Sequence, residues 1–124
     1  DYKIHTLSVP ENDKLTQADD GFEKQFGFRT PTLRNLRFTA PYMHNGTLPT
    51  LQMVLEFYED LSFNKSRNQK VDTKAIDTLA KNLTLKVKDM SSIISFLNTL
   101  NDENFDKTIP EHVPSGLEVG GLIK

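Results

Sequence analysis

The stretch from Phe28 to Gly46, FRTPTLRNLRFTAPYMHNG, constrains this chain more than any other part of it. Pro31 and Pro41 each fix φ and withdraw a backbone donor, so one continuous helix cannot run through the segment. Pro31 suits the first position of a short helix capped by Thr30, where a missing N–H costs nothing. Leu33, Leu36 and Phe38 would give that helix an apolar side. Arg34 and Arg37, one turn apart, would then project together. Pro41 stops any such helix, and Asn45-Gly46 is a strong turn signal. A chain that bends at fixed places and presents Tyr42, Met43 and His44 between the bends is suited to holding polar groups against a partner.

Composition narrows what that partner is. The 124 residues amount to one domain. With 36% hydrophobic and 26% charged residues, a packed core is possible under a large surface. The net charge is −2 with both signs interspersed, which excludes the clustered positive footprint of a nucleic-acid binder. No apolar run approaches the ~20 residues of a membrane-spanning helix. The opening Asp1-Tyr2-Lys3-Ile4-His5 is polar and unlike a signal peptide, so the expected chain is a processed or truncated one. There is no cysteine, which removes disulfides, thiolate metal sites and thiol catalysis, and also covalent haem attachment through a C-x-x-C-H of its own. His5, His44 and His112 are too scattered for a sequence-local metal site. No Ser/His/Asp constellation supports a hydrolase.

Along the chain, turn-forming clusters at Pro10–Asp13 and Ala18–Gly21 make residues 1–27 irregular. Leu51, Val54, Leu55 and Tyr58 recur at i, i+3, i+4 and i+7 and predict a helix over about Leu51–Glu59, with Thr50 as its N-cap. Residues 60–72 are polar and read as a loop. Ile76, Leu79 and Ala80 suggest a short helix over Thr73–Lys81, and Leu83–Lys86 a connector. Met90, Ile93, Ile94, Leu97 and Leu100 predict a second long helix over about Val87–Leu100. The residues from 106 to 124, with Pro110, Pro114 and three glycines, read as an extended tail. No strand shows sustained alternation. The expected class is mainly α with long loops, and long loops in a small domain usually mark function or an organising ligand.

Those segments together resemble a known family. FRTPTLRN, TAPYMHNG and TLQMVL, with the late helix DMSSIISFLNTL, are similar to the C-terminal half of bacterial di-haem cytochrome c peroxidases and their MauG-type relatives. The similarity covers about residues 3–105, and Val113–Leu117 is similar to the tail of some members. A dense match of this kind is more specific than any single short motif. The resemblance implies that residues 1–124 form the C-terminal portion of a cytochrome c-like haem domain, lacking its haem-attachment segment, since the family's C-x-x-C-H would lie upstream.

The resemblance also assigns roles. The peroxidase branch carries an axial Met fourteen residues after the turn histidine; fourteen after His44 stands Tyr58, and MauG-type members have a ligating tyrosine there. A phenolate is a hard anionic ligand that favours ferric iron. By spacing alone, Tyr58 is equally the fourth residue of a core stripe. Met43 is a rival ligand, though a Met beside an aromatic more often fills core. His44 is implied as a polar contact near the haem or a route for electrons or protons, against the plainer reading of a turn histidine bonded to backbone. Arg34 and Arg29 are implied partners of haem propionates, because guanidinium presents a planar fork to carboxylates; the alternative is solvated surface arginine. Thr39 and Pro41 are implied to offer carbonyl oxygens to a Ca²⁺ between two haem domains, carbonyl oxygen being a suitable ligand for a hard cation.

The function implied is that of an oxidoreductase that reduces hydrogen peroxide, or uses it to oxidise a protein side chain. It would hold two haem c groups in the intact protein, none attached to this chain. Peroxide would react at an N-terminal haem domain, and this chain would help relay electrons from a donor protein or a protein substrate, with no catalytic acid or base of its own. On its own the chain would be inactive. The family implies a periplasmic location, and a homodimer is open. The competing expectation is a haem-free helical interaction module. Either way, the faces Leu51/Val54/Leu55 and Ile93/Ile94/Leu97 need an apolar partner: each other, another chain, or whatever fills a groove between them.

Overall fold

Thr50 starts the first long helix as the sequence predicts. Its extended backbone and its side-chain oxygen, which accepts from the Met53 N–H at 3.2 Å, satisfy an otherwise orphaned donor. The helix, α1, spans Leu51–Ser62, three residues beyond the expected end. The computed structural model describes residues 3–104 together with 111–112, 114 and 116; the expected tail over 106–124 lies almost wholly outside them. Among the described residues the order is β1 (Ile4–Thr6), β2 (Gly27–Arg29), α1, α2 (Thr78–Lys81) and α3 (Val87–Thr99), with single 3-10 turns at Leu36–Phe38 and Thr73–Ala75. The structure is therefore helix-rich with a small sheet.

That sheet corrects the expectation of an irregular, strand-free N-terminus. β1 and β2 pair antiparallel, with Ile4 opposite Arg29 and Thr6 opposite Gly27. Strands of three residues are too short to show alternation. The turn that returns the chain depends on Gly21, whose φ is +92° and whose missing Cβ would lie 2.5 Å from the Gly27 nitrogen.

α1 buries more than one stripe. The predicted face contributes Leu55, but Phe57 and Leu61 are the helix residues sealed completely from solvent. They join Val9, Phe26, Leu48, Val71, Ile76 and Ala80 in the core, with Val54 and Tyr58 packed against it. A helix flanked by a packed loop on one side and by α2 and α3 on the other needs two apolar faces.

The polar run after α1 is organised. Buried Asn68 donates to the Val9 carbonyl at 2.9 Å and to Glu11 Oε1 at 3.1 Å, and accepts from the Lys70 N–H. Arg67 binds Asp60 and lies over the Phe57 ring, while its N–H donates to the hydroxyl of fully buried Ser8. Residues 8–11 are thereby fixed to the loop.

The helix expected over Thr73–Lys81 is split. Asp72 caps one turn and Asp77 the next, through donors at Lys74 and Leu79, and Ile76 between them is extended. Two N-caps five residues apart divide the segment. Asp77 also lies 2.7 Å from His5 Nδ1, joining β1 to the start of α2. Burial works to raise the Asp77 carboxyl, but the bonds from His5 and Leu79 and the charges of His5 and Lys24 outweigh it and hold it below the usual carboxylate range. A depressed folded value means the contribution is complete above about pH 4 and is lost as pH falls below that. Asp77→Ala is expected to cost about 1–3 kcal/mol at pH 7 in chemical denaturation, with the gap from the parent narrowing at pH 2–3.

The helix expected at Pro31 does not form. The Arg34 N–H donates to Thr32 Oγ1 at 3.1 Å, and Asn35 takes a left-handed φ of 60°, which delays the turn to Leu36–Phe38. Arg34 and Arg37 therefore do not share a helical face. Asn35 instead ties this segment to the far end of the chain. Its side-chain oxygen accepts from the Asp102 N–H at 2.6 Å, and its N–H donates to the Leu100 carbonyl at 3.3 Å. The Arg37 N–H donates to Asn101 Oδ1, and its guanidinium pairs with Glu103. The L-R-N segment thus holds the end of α3, positioning that helix against α1.

Candidate functional site

α1 and α3 touch, and beside their contact lies an open groove of about 370 Å³ lined by Leu55, Tyr58, Leu83, Thr84, Leu85 and Ile93. Its walls come from both long helices and from the connector between α2 and α3. Four of its six side chains are aliphatic, and its volume falls in the range of small-molecule sites. Of the two faces expected to need an apolar partner, Leu55 and Ile93 line the groove.

Tyr58 is its chemically distinctive residue. The ring packs edge-on against Phe57, with centroids 5.4 Å apart. Burial raises the phenol pKa above its ordinary value, and no charged group contributes. Among the described residues the hydroxyl makes no hydrogen bond, and none of their buried polar side-chain atoms is left sealed without a partner. The hydroxyl therefore keeps an opening, and the groove that Tyr58 lines is there to provide it.

The other predicted residues sit in the bent segment. His44 is exposed at its edge and stacks on Phe28, with centroids 3.6 Å apart and planes 11° from parallel. Burial pushes its pKa below the usual imidazole value, against the opposing charges of Asp19 and Glu11. Its neighbour Asn45 donates to the Pro10 carbonyl at 2.8 Å and accepts from Asn12, pinning the turn to the N-terminal segment. Tyr42 and Leu48 close the turn as an antiparallel bridge, and the Tyr42 hydroxyl donates to the Leu36 carbonyl at 2.8 Å.

Arg29 lies at the exposed end of β2. Arg34 is exposed, and among the described residues its guanidinium has no partner. Thr39 donates its hydroxyl to the Leu36 carbonyl, and the Ala40–Pro41 bond is cis. Neither the Thr39 nor the Pro41 carbonyl accepts a hydrogen bond from a described residue. Two carbonyls fall short of the six to eight oxygens that calcium takes, and no cluster of three or more His, Asp or Glu lies among the described residues. The described residues do not make a calcium site on their own.

The structure thus sets Tyr58 in the groove, and none of His44, Arg29, Arg34, Thr39 or Pro41 lines it. Sequence reading missed Leu83, Thr84 and Leu85 as groove wall, because a connector carries no periodic signal. The alternating Leu-Thr-Leu next to a helix start was the available hint.

Comparison with known proteins places these features. Residues 27–60 match the family model described as RoxA-like, cytochrome c-like. The chain is 34% identical over 90 residues to cytochrome-c peroxidase IdrP2 of Denitromonas iodatirespirans, covering 70% of this chain and 21% of that protein. It is 30% identical over 87 residues to the methylamine utilization protein MauG of Methylorubrum extorquens, covering 70% and 22%. Against cytochrome c551 peroxidase of Nitrosomonas europaea it is 30% identical over 88 residues, covering 71% and 21%. The chain thus spans about a fifth of the length of these relatives. No solved structure matches it.

Proposed function

Because this chain belongs to the cytochrome c peroxidase and MauG-type proteins, we propose that its α1–α3 groove receives a haem c, with Tyr58 as an axial ligand, inside a larger oxidoreductase that consumes hydrogen peroxide. The observation that carries this reading is an unpartnered phenol hydroxyl in an otherwise apolar groove. Those residues fit the group: an apolar macrocycle needs aliphatic walls, and its metal needs one aimed oxygen. When bound, haem supplies an iron that accepts and passes on single electrons.

The chain's own residues supply the surroundings. Leu55, Leu83, Leu85 and Ile93 bury apolar ring surface and exclude water. Burial favours the neutral phenol of Tyr58, and a cation next to the oxygen reverses that preference, as metal ions do for their ligands. Arg34 offers an unpaired guanidinium to a propionate, with Arg29 as a second donor. His44, held flat on Phe28, provides a polar contact or a path for protons or electrons at the turn. Because the chain has no cysteine, any thioether bond to haem comes from elsewhere in the protein.

Peroxide cleavage is assigned to a second, N-terminal haem domain, and electrons arrive from a donor protein or a protein substrate. A Ca²⁺ between the domains would take most of its ligands from outside this chain, alongside the Thr39 and Pro41 carbonyls. The location proposed is the periplasm; no helix among the described residues is long and apolar enough to cross a membrane.

Tyr58→Phe in the intact, haem-loaded protein is the test. The expected result is loss of the phenolate-to-iron charge-transfer absorption, and Tyr58→Met is expected to raise the reduction potential of the same haem. An unchanged ferric spectrum in Tyr58→Phe would refute the ligand role.

A further inference from the structure

The groove holds a second polar group. Leu55, Leu83, Leu85 and Ile93 offer no side-chain donor or acceptor, so Tyr58 and Thr84 alone among its lining residues carry one. Thr84 stands between two leucines of the connector, and among the described residues its hydroxyl also has no hydrogen-bond partner. In the open groove water serves both hydroxyls. Once an apolar group fills the space that water leaves, and each hydroxyl must find a partner or bear the cost of desolvation. No charged side chain lines the groove to compete for either one.

We infer that Thr84 is a positioning residue for Tyr58: its hydroxyl donates to the phenolate oxygen when the groove is filled, fixing the ring's orientation and drawing electron density from the ligand. This rests on the reading of Tyr58 as a haem ligand. A threonine hydroxyl donates one hydrogen bond, and an anionic oxygen is the acceptor that rewards it most. Such an outer partner of a metal ligand sets both its direction and its basicity. With the donor present, the phenolate is a weaker electron donor and the ferrous state is less disfavoured.

The test uses the intact haem-loaded protein with Thr84→Val, Thr84→Ser and Tyr58→Phe. Threonine and valine are close in shape, so Thr84→Val removes the hydroxyl and little else. The expected result is a shift of the phenolate C–O vibration by resonance Raman, a red-shifted charge-transfer band, and a lower reduction potential. The ferric-to-ferrous ratio at fixed potential should change by about tenfold, the worth of one charge-assisted bond. Thr84→Ser should restore all three. If Thr84→Val leaves band, vibration and potential unchanged while Tyr58→Phe abolishes the band, the Thr84 assignment is wrong and the Tyr58 reading stands. If Tyr58→Phe leaves the spectrum intact, the ligand reading fails and takes this one with it.

Discussion

Phe57→Ala is expected to destabilise the protein by about 3–5 kcal/mol, the cost of deleting a large ring from a close-packed interior. Phe57 has 0% of its surface exposed and joins the core cluster that ties α1 to the N-terminal segment, the loop after α1 and α2. It also carries two contacts a smaller residue cannot replace: Tyr58 leans edge-on against its ring and Arg67 lies 5.9 Å above it. Chemical denaturation with an unchanged slope would measure the loss. A loss of less than about 1 kcal/mol would mean that the site collapses around the deletion or that the ring is not buried.

A one-atom exchange gives the second large effect. Asn68→Asp keeps the shape of a buried side chain but replaces its donor with an acceptor. The Val9 carbonyl and the Glu11 carboxylate, now served at 2.9 and 3.1 Å, would both face a carboxylate oxygen. A desolvated charge set against two acceptors costs about 3 kcal/mol or more. The sign of the pH dependence follows. The new carboxyl would have a folded pKa raised above its unfolded value, so the penalty shrinks as pH falls below the raised value. Urea midpoints at pH 7 and pH 4 check it; a deficit equal at both would show that the new carboxyl does not titrate differently in the folded protein.

The long helices were readable because periodicity and capping agree. Leu51, Val54, Leu55 and Tyr58 mark α1, Thr50 caps it, and Met90, Ile93 and Leu97 mark α3. The departures come from contacts remote in sequence. Asn35 leaves the helical region where its side chain and N–H meet the end of α3, more than sixty residues away. Asp77 starts a fresh helix where the chain meets His5. Phe57 and Leu61 look like the back of α1 until the loop carrying Asn68 and Val71 folds over them. The same holds for the site. Spacing from His44 and family resemblance single out Tyr58, but only the packing of α1, α3 and the connector shows that it opens onto an apolar groove, with Thr84 on the connector wall and His44 elsewhere.

A crystal structure of the intact, haem-loaded protein tests the central claim most directly. The account predicts a haem seated between α1 and α3 against Leu55, Leu83, Leu85 and Ile93, its iron bonded to the Tyr58 oxygen. A haem bound to Met43 instead, or one seated away from this groove with Tyr58 packed as a plain core residue, would contradict it.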